Sequence, residues 1–110
     1  MLFCITANYT SKALNAMREN PKSDRRVAVE QLVTAAGGKL VSFYYTTAEG
    51  PGAQVIIDVD PIAAAAITGT VAATDGVRDI KMSRLWTQDE VVAIRQKRAE
   101  ISKSYKTPGQ

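Results

Sequence analysis

The chain opens on an alternation of side chains. Phe3, Ile5, Ala7 and Tyr9 alternate with Leu2, Cys4, Thr6 and Asn8, the period-two pattern of a strand with two distinct faces. The period then lengthens. Ala13, Leu14 and Met17 mark a helix from Lys12 to Asn20, with Thr10 or Ser11 as its hydroxyl cap. Pro21 removes a backbone donor, so a break is expected there, with a restart at Ser23 or Asp24. Val29, Leu32, Val33 and Ala36 keep the i, i+3, i+4, i+7 spacing of a buried stripe, and Gly37-Gly38 ends it.

Alternation returns from Lys39 to Thr47. Val41, Phe43 and Tyr45 are expected on one side, and Leu40, Ser42, Tyr44 and Thr46 on the other. Glu49-Gly50-Pro51-Gly52 reads as a turn and Ala53 to Val59 as a third strand, so the two strands form an antiparallel hairpin. Asp60-Pro61 caps and starts a helix running to about Thr74. Val77 to Trp86 is a fourth strand. Thr87-Gln88-Asp89-Glu90 is a capping box that opens a last helix, which ends at about Lys103. Residues 1–103 read as one domain, and residues 104–110 as a tail expected to fray.

The order β-α-β-β-α-β with an added C-terminal helix predicts an α+β, ferredoxin-like domain with a four-stranded antiparallel sheet. Right-handed crossovers put the helices on one face of that sheet. Phe3, Ile5, Val41, Phe43, Val55, Ile57, Ile80 and Met82 are expected beneath them. The open face carries Cys4, Thr6, Ser42, Tyr44, Ile56, Asp58, Lys81, Ser83 and Leu85. A face of such mixed polarity either lies on a second copy of the sheet or lines a cleft. The last helix is suited to packing across a dimer.

Composition narrows the chemistry. A single cysteine cannot form an internal disulfide, and with no histidine no imidazole-based triad or proton shuttle is available. The same scarcity disfavours structural zinc and haem, and no cofactor is expected. The net charge is +3, unevenly spread: residues 47 to 77 hold no Lys or Arg, whereas residues 78 to 106 hold eight. Those cations are interleaved with acids on the last helix, which reads as a solvated face, and no nucleic-acid partner is expected. No apolar run of about 18 residues is present, so no membrane partner is expected. The N-terminus lacks a signal-peptide pattern. A free thiol suits a reducing compartment, and the expected location is cytoplasmic.

Thr6, Ser42, Tyr44, Asp58 and Lys81 are the candidate ligand-binding residues, all assigned to the open sheet face. Tyr44, Asp58 and Lys81 offer donors, acceptors and acid-base groups; the alternative is that they hydrogen-bond across a dimer seam. Cys4 is either a small, packed residue or a thiol activated by Lys81. One of Arg25 and Arg26 is expected to cover apolar surface with its stem and the other to pair with Asp24 or Glu30; the alternative is an anion site. Trp86 is an interface or core anchor, or lines a pocket mouth. Gly50-Pro51-Gly52 lacks the strand-loop-helix context of a phosphate loop. The open faces of the central strands lack the stacked aromatics of an RNA-binding sheet.

The chain resembles the GYD-domain proteins, small bacterial members of the dimeric α+β-barrel superfamily. The resemblance rests on Tyr9-Thr10, Asp24-Arg25-Arg26 with Ala28, Ala36-Gly37-Gly38-Lys39, Tyr44 and Tyr45 before Thr46, and Gly76-Val77-Arg78, over roughly residues 2 to 90. At the position of the naming Gly-Tyr-Asp tripeptide this chain has Gly50-Pro51-Gly52, so no role of that Tyr or Asp carries over. The resemblance implies a homodimer and a ferredoxin-like fold more firmly than a reaction. The leading expectation is a ligand-binding or regulatory barrel whose partners are a second copy and a small hydrophobic ligand. The alternatives are a cofactor-independent enzyme, monooxygenase- or isomerase-like, on a small hydrophobic or aromatic substrate, and a structural assembly module.

Overall fold

The computed structural model describes residues 1–109. The expected tail reaches Gln110, which lies outside the described residues. Strands β1 (Leu2–Tyr9), β2 (Lys39–Thr46), β3 (Gly52–Asp58) and β4 (Val77–Leu85) form one antiparallel sheet in the order β2-β3-β1-β4. Helices α1 (Ser11–Glu19) and α2 (Arg25–Ala35) connect the first two strands, and α3 (Pro61–Ala72) connects the last two. Helix α4 (Gln88–Ile101) follows, and Ser102–Ser104 closes it with a 3-10 turn. The fold is α+β and ferredoxin-like.

The helices start where short polar side chains satisfy free backbone donors. Thr10 Oγ1 accepts from the Ala13 N–H at 3.2 Å, and its own hydroxyl donates to the Asp75 carbonyl at 2.6 Å, tying α1 to the turn before β4. Asp24 Oδ1 accepts from Val27 N–H, and Asp60 Oδ1 from Ala63 N–H. Pro21 lies in the turn between α1 and α2, as its missing donor requires. Gly37, at φ +82°, turns the chain out of α2 in the left-handed region, and the Gly38 N–H donates back to the Val33 carbonyl at 2.9 Å.

Phe3, Val33, Leu40, Val55, Ile57, Val59, Ala64 and Ile67 form the core between the sheet and helices α2 and α3. Burying a side chain such as Ile57 contributes about 1.5–3 kcal/mol. Strand β2 departs from strict alternation. The register of β2 against β3 shifts between Leu40, opposite Ile57, and Ser42, opposite Ile56. The extra residue is Val41, which is 50% exposed, while Leu40 takes the core position at 7%. Strict alternation put Val41 inside and Leu40 on the open face, and a single-residue bulge reverses both. A second irregularity lies in β4, where Thr6 faces Lys81 but Asn8 faces Arg78, with Asp79 at φ 55° between them. Met82 lies on the helix side as expected, with Thr68 Oγ1 3.5 Å from its sulfur, but it is on an edge strand and remains partly exposed.

Helix α4 leaves the body of the domain. The radius of gyration is 18.0 Å and the longest dimension 60 Å, whereas a compact chain of this length has a radius near 13 Å. Ile94 is 43% exposed and Ile101 56%, so the apolar side chains of this helix have little covering within the chain. Its start is anchored. The Arg84 guanidinium pairs with Glu90 Oε2 at 2.6 Å, stacks 4.3 Å over the Trp86 ring and donates to the Leu2 and Leu85 carbonyls. The capping box completes the joint: Glu90 N–H donates to Thr87 Oγ1, and Thr87 N–H donates to Glu90 Oε1.

Backbone donation from Thr87, then the Arg84 guanidinium, holds the Glu90 carboxyl below its ordinary value. A depressed folded pKa stabilises above the unfolded pKa, and that contribution is lost as pH falls through the folded value. The joint is therefore expected to stay closed in mild acid and to loosen below the usual glutamate range. Fluorescence of Trp86, the one tryptophan in the chain, is expected to report this as an acid step that Glu90→Gln removes. A step that persists in the variant would assign it to other groups.

Candidate functional site

The open face of the sheet sets the candidate residues in rows. Tyr44, Gln54, Thr6 and Lys81 stand side by side across the sheet, because Tyr44 and Thr6 both pair with Gln54 and Thr6 pairs with Lys81. Ser42, Ile56, Cys4 and Ser83 form the next row. Asp58 is in the row beyond, beside Leu2 and Lys39, about 13 Å along the strand from the Tyr44 row. Its carboxylate takes the N-terminal ammonium of Met1 at 2.8 Å. The structure thus brings Tyr44, Thr6 and Lys81 into one row, leaves Ser42 one row away and holds Asp58 apart. Gln54, which sequence reasoning missed, stands between Tyr44 and Thr6. Its signal was its position two residues before Ile56, on the same face of β3.

Thr6 and Lys81 also line a polar groove of about 270 Å³ with Asn8, Thr46, Glu49 and Asp79. Cys4 is half-buried and faces Ile56 and Ser83, while Lys81 lies opposite Thr6.

The opposite side of the sheet holds a different site. An apolar cavity of about 90 Å³ lies between the strands and helices α2 and α3. Ile5, Val55 and Ile57 form its floor, with Val29 and Val33 on one wall and Ile67 and Val71 on the other. Its origin is legible in the pairing. Ala7 of β1 faces Ala53 of β3, both line the cavity, and two methyl groups stand where the neighbouring rows carry Ile5 and Val55. Larger side chains there would fill the space.

Tyr9 and Arg25 border this cavity and also an outer cleft of about 410 Å³ that continues past Met17, Leu32, Val71 and Val77. The ring of Tyr9 is buried and lies 6.5 Å from that of Tyr45, which packs edge-on to Phe43 at 5.1 Å. Burial, and then the neighbouring Tyr45, push the Tyr9 phenol above its usual pKa, against the Arg25 guanidinium beside it, which pulls the other way. A phenol is protonated at neutral pH, so the Tyr9 hydroxyl is available there as a donor. Arg26 pairs with Glu30 at 3.6 Å, and Asp24 caps α2. Among the described residues Arg25 has no carboxylate within ion-pair distance.

The cavity lining includes Tyr9, Arg25 and Thr68 as its polar side chains, with no carboxylate to act as a base. An apolar chamber with a few convergent polar groups at its mouth is suited to holding a small molecule. The sequence offers Arg25 and Arg26 as an alternative anion site and Tyr9 as a strand end, and only the fold shows that Tyr9 and Arg25 meet. A family model described as the GYD domain matches residues 3–94. No curated protein matches the chain.

Proposed function

The chain belongs to the GYD domain family, and on that premise we propose that it works as a homodimeric, ligand-binding α+β-barrel protein that takes a small apolar molecule into the cavity beneath α2 and α3. The observation that carries this reading is the chamber opposite Ala7 and Ala53, with Tyr9 and Arg25 at its mouth. Natural cores are packed to a density that leaves few voids, so an apolar cavity continuous with a surface cleft favours an occupant. The lack of a carboxylate in the lining favours a binding or regulatory role over proton-transfer catalysis. The unpaired Cys4 suits the reducing cytoplasm of a bacterial cell. Among the described residues no helix is long and apolar enough to cross a membrane.

Exposed surface supports the dimer. Four strands about 4.8 Å apart and about 26 Å long offer roughly 500 Å² of open face. A standard interface buries about 800 Å² on each partner. The sheet alone falls short, and the exposed α4, about 21 Å long and about 10 Å wide, supplies much of the difference. Face-to-face sheets with α4 crossing onto the partner would cover Ile56, Tyr44, Leu85, Ile94 and Ile101 together.

The ligand reading is tested by titrating methyl-labelled protein with benzene, a probe of dry apolar cavities. Resonances of Ile5, Val55, Ile67 and Ile80 are expected to shift, while those of Ile56 and Leu85 stay in place. No shift in the first group would overturn the assignment of the cavity as a binding site. Ala53→Leu, which fills the chamber, is expected to abolish the response.

A further inference from the structure

Resting on that reading of the cavity, we infer that its ligand is a small amphipathic carboxylate, its hydrocarbon part in the chamber and its carboxylate held at the mouth by Arg25 and Tyr9. Three observations converge. The chamber walls are almost wholly aliphatic, with Ile5, Val55 and Ile67 around the space left by Ala53. At its mouth stands a cation, Arg25, to which the described residues supply no counter-ion, although the chain places two acids close by in sequence. Asp24 is used as the cap of α2 and Glu30 pairs with Arg26, so neither neutralises Arg25. Beside it, in the lining of both the chamber and the outer cleft, stands the Tyr9 hydroxyl, a donor at neutral pH.

This donor set selects charge and geometry. A guanidinium presents parallel N–H groups that match the two oxygens of a carboxylate, and a phenol adds a third donor. A neutral alcohol of the same length would gain the apolar contacts but would leave Arg25 without its anion. The volume sets the size. About 90 Å³ inside limits the buried part to a short alkyl or aryl tail, and the outer cleft of about 410 Å³, which shares Tyr9 and Arg25, takes the rest of a medium-chain acid or an arylalkanoate. The scarcity of polar side chains around the chamber excludes sugars and amino acids, whose hydroxyl and ammonium groups would lose water without gaining partners.

The test is calorimetric titration of the intact protein with octanoate and, separately, with 1-octanol. Octanoate is expected to bind at least tenfold more tightly than the alcohol, with an affinity that falls as salt is raised. Arg25→Gln is expected to weaken octanoate about tenfold and to leave 1-octanol unchanged, since the charge-assisted bonds are lost and the chamber is not. Tyr9→Phe is expected to weaken octanoate by a smaller factor. Equal binding of acid and alcohol, or octanoate affinity unchanged in Arg25→Gln, would overturn the carboxylate assignment while leaving the cavity reading standing. Failure of both probes to bind would overturn the two together. Arg25 is exposed at the first turn of α2, so Arg25→Gln is expected to fold, and its circular dichroism spectrum serves as the check.

Discussion

Gly52→Ala is expected to destabilise the domain by about 3–4 kcal/mol or more, a large share of the roughly 5–15 kcal/mol available to a small domain. Gly52 lies in the middle of the sheet, paired with Asn8 of β1 on one side and Thr46 of β2 on the other. A methyl group there would sit on the Ala7 carbonyl oxygen and within 2.8 Å of Asn8 Oδ1. Backbone cannot swing aside as a flexible side chain can, so β1 and β3 must separate. The urea midpoint followed by circular dichroism is expected to fall sharply, or the folded baseline to vanish. Gly69→Ala provides the opposite sign. Gly69 is exposed within α3 and a methyl group there meets nothing within 4 Å. That variant is expected to gain about 0.5–1 kcal/mol from helix propensity alone. Equal effects of the two substitutions would refute the close approach of β1 and β3 at Gly52.

The second large effect concerns assembly. Ile56 is half-buried at the centre of the open face, between Cys4 and Ser42. In a two-fold dimer every substitution occurs twice at the seam. In the proposed face-to-face dimer, Ile56→Asp would place two carboxylates at the centre of the seam without partners, at a cost of about 3–5 kcal/mol or more. The dimer dissociation constant is expected to rise at least 100-fold, on the scale of about 1.4 kcal/mol per tenfold change. The monomer should keep its fold, because Ile56 is outside the core of Phe3, Val33, Val55 and Ile57. Sedimentation equilibrium with circular dichroism separates the two effects. Tyr44→Phe retains the ring and is expected to leave the dimer intact. A dimer that survives Ile56→Asp would move the interface off the sheet face and onto α4 alone.

The fold was legible because each signal in the chain acts over a short range. Caps at Thr10, Asp24, Asp60 and Thr87 all hold their expected backbone donors, and Pro21 separates α1 from α2. What alternation cannot report is an inserted residue, and the bulge at Val41 exchanged it with Leu40 between the two faces. The candidate site was harder to read. Thr6, Ser42, Tyr44, Asp58 and Lys81 were grouped by face alone, since alternation gives the side of a sheet but not the row. Register places Asp58 beside the chain terminus and sets Gln54 between Tyr44 and Thr6. The chamber depends on Ala7 meeting Ala53 across two strands, and its mouth on Tyr9 meeting Arg25. Each is a tertiary coincidence between residues far apart in the sequence. The sequence suited the last helix to packing across a dimer, but Ile94 and Ile101 alone give no measure of how far it extends from its own domain.

The most direct test of a homodimer with a ligand chamber is native mass spectrometry of the purified protein, repeated after adding octanoate or 1-octanol. The expected result is an ion of twice the 11.9 kDa chain mass that carries one added molecule per protomer and loses it on denaturation. Monomer ions at every concentration, or a dimer that takes up neither compound, would contradict the account.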